Sequence, residues 1–234
     1  MADNKSHQHR ASTSMLNRMR AAVLGGNDGI VSISSVVLGV AGASDERGII
    51  FTAGLAGLVA GALSMAVGEY VSVSSQRDTE RAFIAKEKRR LREDPEHELE
   101  DLAKVYMAKG MSHATARKVA EELTKQDALK AHLDAELNLD EEDLNSPMEA
   151  AIASLISFTA GGLIPFIAIM LATPSWRFGV TFAAVVVALT GTGYISASFG
   201  GASRRRAILR VVVGGAIAMA ATYGIGSVFG TAIQ

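Results

Sequence analysis

The chain has 234 residues, with 23 Lys plus Arg, 24 Asp plus Glu and no Cys. Near-zero net charge without a basic domain argues against a nucleic-acid partner, and the lack of Cys excludes disulfides, thiolate metal sites and Cys nucleophiles. The charges are also segregated: 18 acids and 13 bases lie in residues 76–146, while the other 163 residues form apolar runs too uniform for amphipathic soluble helices.

Residues 1–19 are polar, lack the apolar core of a cleaved signal and are expected on the cytoplasmic side. Crossing a bilayer takes about 20 mostly apolar residues. Five runs meet that length: 21–43, 48–75, 150–176, 178–203 and 211–234. The first carries one charge, Asp28, the second one, Glu69, and the last three none inside. Pro165 predicts a kink in the third run. Gly57-xxx-Gly61 and Gly226-xxx-Gly230 have the spacing that lets helices approach closely in lipid.

Arg10, Arg18 and Arg20 precede the first run, and Arg204, Arg205, Arg206 and Arg210 lie between the fourth and fifth. The opposite connections hold only Arg47 and Arg177 among the bases. The positive-inside rule puts the N-terminus and the 76–146 insert in the cytoplasm and the C-terminus outside. The fold expected is an all-α membrane protein of five spans, 20–75 and 147–234, with a cytoplasmic three-helix insert between spans two and three.

Residues 77–92 of that insert extend the second span. Asp94-Pro95 marks a stop and a restart, as N-cap and first helical position. The helix then runs to Gly110 with an apolar stripe of Leu99, Leu102, Ala103, Tyr106 and Met107. Ser112 caps the next helix, striped by Ala116, Val119, Ala120 and Leu123, and a last helix covers 126–137. Such stripes are ordinary helix-on-helix core.

A carboxylate inside a span is costly and marks a pathway or a partner. Asp28 lies in Gly25-Gly26-Asn27-Asp28-Gly29, where the glycines are expected to open the helix and expose carbonyls, as at transporter ion sites. The alternative is a position close to the headgroups. Met65 and Glu69 are four apart on one face, and a thioether beside a carboxylate suits a borderline ion such as Fe²⁺. Packing alone also accounts for Met65. In the insert, Glu98 and Asp101 share a face, as do His132 and Glu136, and Glu87, Glu93, Glu96, His97 and Glu100 lie nearby. Carboxylates with an imidazole suit a divalent ion. Acids in a first helical turn are equally expected from the helix dipole. The chain has no Glu-x-x-His pair, which argues against a di-iron carboxylate bundle.

Several stretches carry a resemblance. Arg20-Ala-Ala-Val-Leu-Gly-Gly-Asn-Asp-Gly-Ile-Val-Ser32, Leu38-Gly-Val-Ala-Gly42 and Ser64-Met-Ala-Val-Gly-Glu-Tyr70 resemble the first two spans of the vacuolar iron transporter family. Lys118-Val-Ala-Glu-Glu-Leu, Asp127-Ala-Leu-Lys-Ala-His-Leu133 and Ser146-Pro147 extend the likeness over nearly the whole chain after the polar N-terminus. The resemblance implies a five-span homodimer in a lipid bilayer that exports Fe²⁺, with Mn²⁺ as a second ion, in exchange for protons and with no prosthetic group. It implies pathway roles for Asp28 and Met65 with Glu69 beside them, and metal collection by Glu87, Glu98, Asp101 and Glu136; His132, on the face of Glu136, is a further metal candidate from the residues themselves. Two positions depart from the plant-type pattern: Arg90 stands in place of a glutamate, and His132-Leu133 in place of methionines. A bacterial inner membrane is the location expected. A membrane-anchored metal sensor or buffer is the alternative, and an enzyme is not expected, since the two span carboxylates fit no hydrolytic motif.

Overall fold

A computed structural model of the chain describes residues 3–137, 139 and 146–233, with side chains for 22–137, 139 and 146–230. The described residues form seven α-helices and no strand: α1 Asp3–Ala43, α2 Arg47–Glu93, α3 Pro95–Ala108, α4 His113–His132, α5 Pro147–Leu171, α6 Arg177–Phe199 and α7 Arg204–Ile233. Short π and 3₁₀ turns, Leu133–Leu137 and Pro174–Trp176, follow α4 and α5. The backbone divides into two compact units, residues 1–70 with 148–234, and residues 71–147.

Five helices are long and apolar enough to span: Ala22–Ala43 within α1, then α2, α5, Pro174–Phe199 and Arg204–Gly230. The third span therefore ends at Leu171 rather than at residue 176. Ala172 and Thr173 leave helical geometry before Pro174, which opens the 3₁₀ turn. The helix containing the fifth span starts at Arg204, seven residues before the apolar run. Helical hydrogen bonding there does not wait for apolarity.

The first unit is centred on Ile30, Ile33, Val37, Leu38, Ile50, Leu58, Phe158, Phe166, Ile169, Val185, Leu189 and Met219. Its outer surface is also apolar. Leu24, Val59, Val67, Ile156, Val187, Ile217 and Phe229 are all more than half exposed. Side chains of that kind facing outward on helices of spanning length match a lipid solvent.

Glycine sets the closest approaches. The Gly25–Gly29 segment stays helical inside α1, contrary to the opening expected there. Its glycines serve contact with α5 instead. A Cβ at Gly29 would fall on the Phe158 carbonyl, and one at Gly161 on the Gly26 carbonyl. These glycines let two backbones touch. Gly226-xxx-Gly230 does the same with α1: a Cβ at Gly226 would fall on the Gly39 carbonyl, and one at Gly230 would lie 2.5 Å from Ala43 Cα. Gly54 and Gly61 of α2 face instead the rings of Phe166 and Phe158. Pro165 is accommodated inside α5, which continues to Leu171.

At one end of this unit two arginines tie connections together. Arg177, 4% exposed, donates from Nη1 to the Asp45 carbonyl at 2.8 Å. Arg47 Nη2 donates to the Ala172 carbonyl at 3.4 Å.

The second unit contains the charged end of α2, α3, α4 and the π turn. Asp94 Oδ1 accepts from the His97 amide at 3.1 Å, and Pro95 occupies the first helical position. Gly110 ends this segment at φ 96°, where glycine has no Cβ to clash. Ser112 Oγ accepts from the Thr115 amide at 3.4 Å. Asp127 is extended, at φ −162° and ψ 100°, and splits α4. Its carboxylate accepts from the Lys130 amide at 2.9 Å, so it caps the segment that follows. The last helix thus begins close to the expected residue 126, but its final turn, Leu133–Leu137, is π-helical. Leu102, Ala103, Ala116, Ala120 and Ala131 form the core, with Leu99, Tyr106 and Leu123 against it. Met107 is 38% exposed, off the stripe expected for it.

Candidate functional site

Three helices each bury one ligand-type side chain in the second unit. α2 supplies Glu87, α3 supplies Glu98 and α4 supplies His132, which are 5%, 2% and 1% exposed. One ligand atom from each lies within 4.8 Å of the others. Small core residues on α3 and α4, Ala103, Ala116, Ala120 and Ala131, line that helix-on-helix core.

The electrostatics are unusual for a core. His132 Nδ1 lies 3.1 Å from Glu87 Oε1 and 3.2 Å from Glu136 Oε1. Glu98 Oε1 lies 3.1 Å from Arg90 Nε. Glu98 Oε2 and His132 Nε2 are buried with no hydrogen-bond partner. An unsatisfied buried polar atom costs on the order of 1–3 kcal/mol. Burial pushes the Glu98 carboxyl above its ordinary range, opposed by the Arg90 guanidinium. Two acids and an imidazole, with Glu87 Oε1, Glu98 Oε2 and His132 Nε2 all lacking a hydrogen-bond partner, are a donor set for a divalent ion of intermediate hardness.

Of the insert residues expected to bind metal, Glu87, Glu98, His132 and Glu136 therefore come together. Asp101 stands at the edge. It accepts from Lys104 Nζ at 2.8 Å, and that hydrogen bond holds its carboxyl below the usual range. The neighbouring acids are answered by cations. Arg117 reaches Glu96 at 2.6 Å, Glu100 at 3.4 Å and Glu121 at 3.2 Å, and Arg89 lies 3.8 Å from Glu93. Those are solvated surface pairs.

The residues expected in the pathway belong to the first unit. Asp28 is exposed on α1 and accepts from Ser32 Oγ at 3.0 Å. Met65 is half-buried against the apolar core, and Glu69 is half-buried one turn further along α2. Among the described residues, no hydrogen bond or ion pair links Asp28 to Met65 or Glu69. Two side chains were not singled out as ligand neighbours by sequence reasoning. Thr192 on α6 donates to Asn27 Oδ1 at 2.5 Å, beside Asp28. Arg90, noted only as a departure from a family pattern, sits against three of the insert's acids. Its spacing of three from Glu87 was the available signal.

Comparison with known proteins adds a second line. A sequence profile described as the VIT family matches residues 19–227. The chain is 40% identical to the "Vacuolar iron transporter" of Acanthamoeba castellanii over 94% of this chain and 81% of that one. It is 38% identical to "Vacuolar iron transporter homolog 1" of Oryza sativa subsp. japonica, over 91% and 74% respectively. For "Vacuolar iron transporter homolog 4" of Arabidopsis thaliana the values are 35%, 91% and 84%.

Proposed function

The chain belongs to the VIT family, and from that premise we propose that it is an integral membrane transporter that moves Fe²⁺ out of the cytoplasm in exchange for protons, with Mn²⁺ as a second substrate. The observation that carries the reading is the pairing of five spanning helices with a buried Glu87–Glu98–His132 donor set in one chain. Relatives named vacuolar iron transporter support iron as cargo. The charged unit is cytoplasmic on this reading, with the N-terminus, supported by the arginines flanking spans one and five.

The insert gathers the ion on Glu87, Glu98 and His132, with Glu136 and Asp101 beside them. Met65 and Glu69 receive it at the second span. Asp28 holds it at the first. A carboxylate exposed on an apolar helix is expensive in lipid. A second copy of the chain covering Asp28 removes that cost, which supports a homodimer. Each carboxylate binds either a metal ion or a proton. Acid on the far side then discharges the ion from the same groups, and no separate proton path is required.

The test is Fe²⁺ flux in proteoliposomes under a pH gradient. Fe²⁺ should accumulate in vesicles that are acidic inside, and accumulation should collapse with a protonophore. Asp28→Ala should remove flux while Fe²⁺ binding to the chain persists. Parent-like flux in Asp28→Ala refutes the pathway. Fe²⁺ binding without flux in the parent protein instead makes the chain an anchored sensor or buffer.

A further inference from the structure

Arg90 occupies a place in the insert that metal binding by Glu87, Glu98 and His132 does not by itself require. From α2 its guanidinium reaches three carboxylates on two helices. Nε is 3.1 Å from Glu98 Oε1, Nη1 is 3.6 Å from Glu87 Oε2 and Nη2 is 3.9 Å from Asp101 Oδ2. The planar fork of arginine suits several oxygens at once, which a lysine cannot match.

The contacts divide the two buried carboxylates. Glu98 presents Oε1 to Arg90 and keeps Oε2 without a partner. Glu87 presents Oε2 to Arg90, and its Oε1, 3.1 Å from His132 Nδ1, is buried without a hydrogen-bond partner. One oxygen of each acid therefore remains for an ion, with His132 as the third donor. The charges match one ion as well. Glu87, Glu98, Asp101 and Glu136 carry four negative charges. Lys104, at 2.8 Å from Asp101, answers one of them and Arg90 a second. A single divalent cation answers the remaining two. A second would leave an excess of two positive charges at the site, which is costly; without Arg90 that excess falls to one and two carboxylate oxygens are freed for the ions.

We propose that Arg90 is a resident counter-cation that limits the insert to one divalent ion and sets its preference for transition metals over Ca²⁺. It does so by occupying carboxylate oxygens. Ca²⁺ takes about 6–8 oxygen ligands, whereas an ion such as Fe²⁺ accepts a small mixed set containing imidazole. The proposal rests on the reading that Glu87, Glu98 and His132 hold the ion.

The experiment counts Fe²⁺ bound to the full-length protein in detergent, by anaerobic equilibrium dialysis, with Ca²⁺ as competitor. Arg90→Gln should bind one more Fe²⁺ per chain than the parent, and Ca²⁺ should displace part of the bound iron. An unchanged count, or a lower one in a folded variant, overturns the proposal. Arg90→Lys keeps the charge but loses the fork. It should keep the parent's count and release Fe²⁺ at about tenfold lower Ca²⁺ than the parent. Parent-like resistance to Ca²⁺ in Arg90→Lys overturns the proposal even where Arg90→Gln does not fold. Glu98→Gln separates the two ideas. If it leaves Fe²⁺ binding intact, the site itself is wrong. If it lowers the Fe²⁺ count while the Arg90 variants match the parent, only the role of Arg90 fails.

Discussion

Replacing Glu98 by Gln tests the buried cluster because its effect should have opposite signs with and without metal. Gln has almost the same shape, so the core of the second unit is not reshaped. The Glu98–Arg90 pair at 3.1 Å has a gross attraction of about 5 kcal/mol at an effective dielectric of about 20. The Arg90 side chain is 38% exposed, which screens that attraction, and burying the carboxylate costs several kcal/mol in return. The net change in the metal-free protein is therefore close to zero. Its sign follows from the raised carboxyl of Glu98. A raised folded value contributes stability fully below the ordinary carboxylate range, and that contribution is lost as pH rises through the raised value. At neutral pH Gln should leave the metal-free fold equal to the parent or slightly more stable. The parent alone should gain stability on acidification through that window. With metal present the outcome reverses. Loss of a supporting residue around a metal site costs about 10–100-fold in affinity, so loss of an anionic ligand should cost at least about 100-fold. At a metal concentration of about 100 times the parent Kd, metal should stabilise the parent by about 2.7 kcal/mol and the variant by about 0.4 kcal/mol. Thermal melts of the full chain in detergent, with and without anaerobic Fe²⁺, read both effects. Equal metal-induced shifts in parent and variant would refute the reasoning.

Two further outcomes concern the scaffold. Gly226→Ala puts a methyl on the Gly39 carbonyl, whereas nothing lies within 4 Å of a Cβ at Gly224. The first should lower stability by about 1–3 kcal/mol, and Gly224→Ala should leave it unchanged or higher, as read by melting in detergent. Asp127→Ala removes the carboxylate that accepts from the Lys130 amide. It should cost about 1 kcal/mol and speed hydrogen exchange at Lys130, while exchange in α3 stays at the parent rate.

Local chemistry made much of this fold legible in the sequence. Asp94-Pro95, Gly110 and Ser112 each act through atoms within three residues, and each ends or starts a helix where that chemistry requires. Span existence followed from composition, because lipid demands it over a whole helix. Span ends did not, since helical hydrogen bonds continue into polar sequence at Arg204. The Gly25–Gly29 stretch was misread for a different reason. Glycine density is the same whether a helix opens or a neighbour presses against it, and only the partner on α5 decides. Within the insert, His132 with Glu136 was legible by helical spacing. That Glu87 and Glu98 join them was indicated by the family resemblance and not by spacing, because it depends on how three helices pack.

The glycine contacts bear on mechanics. Where α1 meets α5 and α7, backbone lies directly on backbone at Gly29, Gly161, Gly226 and Gly230. Sliding α1 along either neighbour would drive a carbonyl into a main chain, so the three helices resist shear and should travel as a block. Helix α2 meets the rest differently, through the rings of Phe158 and Phe166 and the thioether of Met65. Rings tilt and thioethers rotate at small cost. Among these contacts, the seam of least resistance is the one along α2, the helix that carries Met65 and Glu69.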